Sequence, residues 1–320
     1  MRLEGRREST NVDDRRGKTV AATAGGIGLG GLILYFVLKS FLGVDISPML
    51  EQQQQGAGTE YVDNGKDYSE VDKELVTFSK QILGGTEDVW TKVFKQYGRT
   101  YEPPTLVFFD GAVSTGCGNA TAQTGPFYCS ADQCLYIDLS FFRNMRKEIG
   151  ADGDFAYAYV IAHEVGHHVQ YLLGTLNQAH QQMARMEKAE ANRMSVRIEL
   201  QADFYAGVWA YHDNKMFNSL EDGDLMEAID AAQKIGDDYL QKQAGYRQVQ
   251  SDLFTHGTSQ QRMRWLKKGL TTGDLSQGDT FSIPYNQLEA RFVYGHKKSA
   301  FRRFFCVCFL IRMSSHRGNS

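Results

Sequence analysis

The stretch 154–173, DFAYAYVIAHEVGHHVQYLL, decides how the rest of the chain is read. Its apolar residues run at helical density, Asp154 is placed to cap a helix, and Gly174 stands where that helix should stop. Inside it lies HEVGH, residues 163–167. Residues four apart share one face of a helix, so His163 and His167 can both turn an imidazole nitrogen to a single zinc ion. Glu164 is one residue on, and from there a carboxylate reaches a metal-bound water rather than the metal, which is the place of a general base. Gly166 leaves room for a close neighbour. The preceding AYAYVIA is apolar, and an unpartnered polar ring there would be costly, which argues against two idle histidines. His168 is rotated by about 100° from His167 and cannot easily share the metal; it reads as solvated or hydrogen-bonded elsewhere.

A catalytic zinc needs a third protein ligand and an open position. Working outward, the next helical pattern holds RIELQADFYAG, residues 197–207, in which Glu199 and Asp203 are the only charges between Ile198 and Val208. They are again four apart. Glu199 is the expected third ligand to one zinc per chain, and Asp203 can accept the second ring N–H of a ligating histidine and so fix its tautomer. Glu187 and Glu190 sit in a plainly solvated stretch.

Before residue 154 the pattern differs. Val71, Leu75, Phe78, Ile82 and Leu83 recur at helical spacing up to Gly84-Gly85, and Thr86-Glu87-Asp88 reads as the start of a second helix through Tyr97. TLVFFD and CLYIDL are short, β-branched and aromatic, hence strands, joined through residues 111–133 by a long loop or further short strands. After Phe141 the chain is helical almost throughout, with one long helix expected over 176–212. Strands first and helices after give an α+β domain, mainly helical with a small β-sheet.

Residues 20–38, VAATAGGIGLGGLILYFVL, carry no charge, and nineteen residues at about 1.5 Å each just cover a hydrocarbon core of about 30 Å. This predicts one transmembrane helix. Arg2, Arg6, Arg7, Arg15, Arg16 and Lys18 all precede it, so the expected orientation is N-terminus in the cytoplasm and the domain outside, single-pass in the cell membrane. The expected division is a basic N-terminus over 1–19, the span over 20–39, a Gln-rich linker over 40–66, the domain over 67–285 and a tail over 286–320. A net charge of −3 removes the electrostatic case for a nucleic-acid partner. That figure hides a tail of +6, from seven Lys or Arg against Glu289, and a remainder of −9. Five cysteines, none in a CxxC pair, are poor zinc ligands, and a disulfide is expected if the domain is outside the cytosol.

Taken together, HEVGHHVQ (163–170), ELQADFYAG (199–207), the segment of Gly116, Cys117, Gly118 and Ala120, GPFYC (125–129), YID (136–138) and FTHGTSQQR (254–262) resemble the bacterial "putative neutral zinc metallopeptidase" family. The opening MRLEGRRES and NVDDRRG resemble it too, and the resemblance runs to about Ser282. It implies a gluzincin-like, zincin-like metallopeptidase domain. In it His163 and His167 match the histidine ligands, Glu164 the catalytic acid, Glu199 the glutamate ligand and Asp203 the acid behind them. It also implies a Cys117–Cys129 bridge, which leaves Cys134 as an odd thiol. The tail resembles nothing in the family; it can lie on an anionic membrane surface or be an out-of-frame extension of an altered gene, and the second reading is favoured.

The function expected is a membrane-anchored zinc metallopeptidase that hydrolyses peptide bonds of protein or peptide substrates in the cell envelope. His256 is the candidate donor to the oxyanion, with Arg262 behind it, although either can equally brace the helix that starts near Ser259. The strand at 135–139 can bind substrate by edge pairing. The alternatives are a zinc hydrolase of another bond type, which needs a small closed pocket, and a catalytically silent envelope scaffold with a structural zinc, which leaves Glu164 without a role.

Overall fold

The structure, a computed structural model, describes residues 1–20, 61–63 and 69–289. The expected span lies outside these residues apart from Val20, as does the linker apart from residues 61–63 and the tail from residue 290. No helix among the described residues is long and apolar enough to cross a membrane.

The chain opens with β1 (Val12–Asp14) and β2 (Lys18–Val20); β3 (Tyr61–Asp63) pairs antiparallel with β2. Next comes α1 (Glu70–Gln96), started by Ser69, whose side chain accepts from the Asp72 N–H. It is one helix where two were expected. Gly84 and Gly85 do not break it, because they are where the N-terminal segment crosses. A Cβ on Gly84 would lie 2.9 Å from the Arg7 carbonyl oxygen, and one on Gly85 would meet the Arg6 and Asp213 side chains. Thr86 caps nothing; its hydroxyl donates to the Leu83 carbonyl one turn back.

The two expected strands, β4 (Thr105–Phe109) and β8 (Cys134–Asp138), lie side by side and parallel. Between them in sequence come β5 (Ala112–Thr115), β6 (Gly118–Thr121) and β7 (Phe127–Cys129), the further short strands allowed for between residues 111 and 133. The sheet order is β1-β4-β8-β7. The segment expected to pair with substrate at an edge is therefore interior, flanked by β4 and β7, and the edge on that side is β7.

The helical half follows: α2 (Ser140–Ile149), α3 (Asp154–Leu172), α4 (Thr175–Met183), α5 (Lys188–Phe217), α6 (Asp224–Lys234), α7 (Asp237–Gln243) and α8 (Ser259–Thr272). The long helix expected over 176–212 is split into α4 and α5. Helix α3 has Gly153 as its N-cap, and Asp154 serves elsewhere, since its carboxylate lies 2.5 Å from the Met1 amino group, which also approaches Asp224 at 3.4 Å.

That contact corrects the expected division of the chain. Residues 1–17 are part of the domain. Arg6 pairs with buried Asp213 at 2.6 Å, Arg7 bridges to Glu87 and Asp88, and β1 adds to the sheet parallel to β4. Nor does the domain stop at 285. Leu288 is fully buried, and its carbonyl accepts from the Trp265 indole N–H at 3.3 Å.

One core unites sheet and helices, with Leu106, Phe108, Leu135 and Ile137 packed in a cluster with Val165, Phe204, Trp209 and Trp265. Helices α5 and α8 touch backbone to backbone. A Cβ on Gly207 would stand 2.2 Å from the Leu266 carbonyl oxygen, and one on Gly269 would stand 2.0 Å from that of Phe204. Gly269→Ala is therefore expected to cost about 1–3 kcal/mol or more by forcing the helices apart, read in urea unfolding. An unchanged midpoint would contradict this crossing.

Candidate metal centre

Helix α3 is apolar on nearly every side because it is buried from Phe155 to Gln170 with few breaks. Its polar residues therefore need partners, and α5 supplies them. The approach is close: a Cβ on Gly166 would lie 2.9 Å from the Ala202 carbonyl oxygen, so the glycine between the histidines lets α5 bring Glu199 within reach.

His163, His167 and Glu199 converge, with one ligand atom of each within 4.8 Å of the others. The His163 Nε2 is 3.2 Å from Glu199 Oε2, and the His167 Nε2 is 3.5 Å from Glu199 Oε1. Zinc bonds of about 2.1 Å in a tetrahedron put neighbouring donors roughly 3.4 Å apart, so two imidazoles and a carboxylate at these separations fit that ion. Both rings present Nε2 because Nδ1 is held from behind. Asp203 lies 2.9 Å from the His163 Nδ1, and the Gln170 side-chain oxygen lies 2.9 Å from the His167 Nδ1. Gln170 was not among the expected site residues, although it sits three residues beyond His167 on the same helix face, a spacing that could have exposed it.

Asp203 is fully buried and carries four interactions. One oxygen accepts from Tyr159 at 2.6 Å, from the His163 ring and from Arg262 Nη2 at 2.9 Å; the other accepts from Arg262 Nε at 2.9 Å. Burial alone would raise its pKa, but Arg262 and His163 hold it below the usual carboxylate value. Arg262 thus stands behind Asp203 rather than behind His256. Burial would likewise depress His163, yet Asp203 and Glu199 hold it raised to about 10. His167, where burial wins, falls to about 4. Its ring is then a neutral donor near pH 7.

Glu164 is buried and borders the same cavity, and burial lifts it to about 7 against the pull of His163. A backbone hydrogen bond from Tyr128, on edge strand β7, tempers that rise. His168 is buried rather than solvated: it bonds the Tyr128 hydroxyl at 2.9 Å and the Glu102 carbonyl at 2.7 Å.

His256 also lines the cavity, held in a way that nothing near it in the chain foreshadows. Its Nδ1 lies 3.1 Å from Asp237 Oδ1, while Asp237 Oδ2 accepts the backbone N–H groups of Thr255, His256 and Gly257. Asp237 lies at the start of α7, nineteen residues upstream in a plain acidic run, so no local pattern marks it. The helix at Ser259 is capped by Thr258 and Gln261 in a capping box, which frees His256 from that role.

The cavity has a volume of about 640 Å³ and is bordered by His163, Glu164, His167 and Glu199 together with Phe127, Phe141, Leu176, Met183 and Ile198. The Cys117–Cys129 disulfide is formed and Cys134 is free, opposite Cys129 in the β7–β8 ladder. Asp203→Ala would strand the Arg262 guanidinium in the interior. The expected loss is about 3–5 kcal/mol in urea unfolding, and a loss below about 1 kcal/mol would show that the pair does not carry the site.

Residues 1–281 match the family described as "Putative neutral zinc metallopeptidase". The protein YpfJ of Escherichia coli (strain K12), described as uncharacterized, is 48% identical over 291 residues, which cover 88% of this chain and 99% of YpfJ. The uncharacterized protein Rv2575 of Mycobacterium tuberculosis (strain ATCC 25618 / H37Rv) is 38% identical over 257 residues, 75% of this chain and 84% of its own length. No solved structure matches the chain. The family match spans β1, the sheet, both helices of the metal centre and the His256 loop, and the chain is a member of the putative neutral zinc metallopeptidase family.

Proposed function

We propose that this protein is a zinc-dependent endopeptidase that works outside the cytosol. The observation that carries the reading is the placing of Glu164. It is buried beside three converging donors, makes no ligand set with them, and is held near neutrality. A structural zinc would have no use for it.

Zinc held by His163, His167 and Glu199 would supply a Lewis acid and bring the pKa of water toward about 7. The chain's own groups do the rest. Glu164 takes the proton of the attacking water and hands it to the leaving amine, a transfer suited to a carboxyl whose pKa lies near the working pH. His256, its Nδ1 fixed by Asp237, offers the other ring nitrogen to the oxygen on which charge develops. Asp203 and Gln170 keep the two ligand rings aimed, so little reorganisation is needed.

Substrate binding follows from the edge of the sheet. Strand β7 borders the cavity, and an extended peptide can add to it as a further strand. A cavity of about 640 Å³ walled by aromatic and aliphatic side chains suits a peptide with a bulky apolar residue more than a small polar ester. The disulfide supports a place in an oxidising compartment.

The test compares cleavage of a quenched peptide library by wild type and Glu164→Gln at matched zinc content. Loss of about 100- to 10,000-fold in rate with zinc retained is the expected result; equal rates would remove Glu164 from the mechanism. His256→Ala is expected to lower kcat by about 100-fold at unchanged zinc content, with KM little altered. An unaltered kcat would leave the oxyanion to other groups.

A further inference from the structure

We infer that residues 1–17 and the candidate metal centre lie on the same side of the membrane, the oxidising side, so that the chain makes no net crossing between β2 and β3. This holds whether or not the protein is a peptidase.

The first seventeen residues are bonded throughout to the rest of the domain. The Met1 amino group is buried against Asp154, the first residue of the helix that carries HEVGH. The Ser9 N–H donates to the Lys80 carbonyl at 2.9 Å, and the Ser9 hydroxyl and the Asn11 amide both donate to Glu87. The Leu106 N–H donates to the Asn11 carbonyl at 2.9 Å and opens the β1–β4 ladder, while the Arg15 N–H donates to the Phe108 carbonyl at 2.8 Å. These are bonds to α1, to α3 and to a central strand of the sheet. A bilayer about 30 Å thick cannot stand between groups in hydrogen-bond contact. A single crossing after residue 20 would separate them all. Strands β2 and β3 agree, since Lys18 pairs with Asp63 and Val20 with Tyr61, which brings the two ends of the intervening stretch to neighbouring positions.

Five of the six basic residues that favoured an inward N-terminus have acidic partners. Arg2 pairs with Glu221, Arg6 with Asp213, Arg7 with Glu87 and Asp88, Arg15 with Asp13 and Arg16 with Asp14. The positive-inside rule counts Lys and Arg in short flanking loops. Here they belong to a folded unit that balances them with acids. The side is then set by Cys117–Cys129, a bond that persists in oxidising compartments.

The test uses the full chain in Escherichia coli, in a Cys134→Ser, Cys306→Ser, Cys308→Ser background, with one reporter cysteine at a time. Thr10→Cys and Glu190→Cys are both at exposed positions, one in each part. A maleimide that passes the outer but not the inner membrane is applied to intact cells and, separately, to lysed ones. Both cysteines are expected to label as fully before lysis as after it. Glu190→Cys labelling in intact cells while Thr10→Cys labels only after lysis would establish a single crossing and overturn the inference. Labelling of both only after lysis would overturn it as well, because the unit would then be cytoplasmic. Glu4→Cys, at a second exposed position, guards against a local effect at Thr10 and is expected to behave alike.

Discussion

The buried carboxylate of Asp203 is the interaction on which the rest of the molecule turns. It receives Arg262 from α8 on both oxygens, the Tyr159 hydroxyl and the His163 ring from α3, and itself belongs to α5. Three helices are thereby keyed at one point in the interior. Ion pairs of this kind do little for net stability, because desolvation offsets most of the attraction. Their effect is on geometry: a helix that slid by one residue would leave a charge without a partner. The glycine contacts of α5 with α3 and α8 permit the approach, and Asp203 fixes its register.

Chemistry at the centre follows from that register. With Asp203 behind His163 and Gln170 behind His167, both rings face Glu199 through Nε2. Glu164, next along the helix, is buried as well and borders the same cavity beside the three converging donors. The His256–Asp237 pair closes the cavity from another quarter with an independent support, the three backbone N–H groups that hold the Asp237 carboxylate.

Much of this was legible in the sequence, for reasons that differ by residue. His163, His167, Glu199 and Asp203 could be found because helical spacing places residues four apart on one face, and because charge is scarce where they stand. The α+β character was legible from the change of period near residue 141. Apart from Gln170, three residues from His167, what was missed at the site and the N-terminus is non-local. Asp237 reaches His256 across nineteen residues, and the reach of residues 1–17 to Asp154, Asp213 and Glu87 spans from 76 residues for Asn11 with Glu87 to 207 for Arg6 with Asp213. No periodicity reports such pairings. The Gly84-Gly85 pair misled for the same cause: glycine breaks helices in isolation, but here it makes room for a segment that arrives from elsewhere in the chain.

One ion held by His163, His167 and Glu199 is what, in the proposed function, makes the cavity a peptidase. The most direct measurement strips the full-length protein with a chelator and adds zinc back in steps, following bound metal and peptide cleavage in the same samples. Cleavage should rise in proportion to bound zinc and reach its plateau at one ion per chain, and Glu199→Ala should abolish both together. Cleavage that survives complete removal of the metal, or one zinc bound per chain with no cleavage of any peptide, would contradict a zinc peptidase.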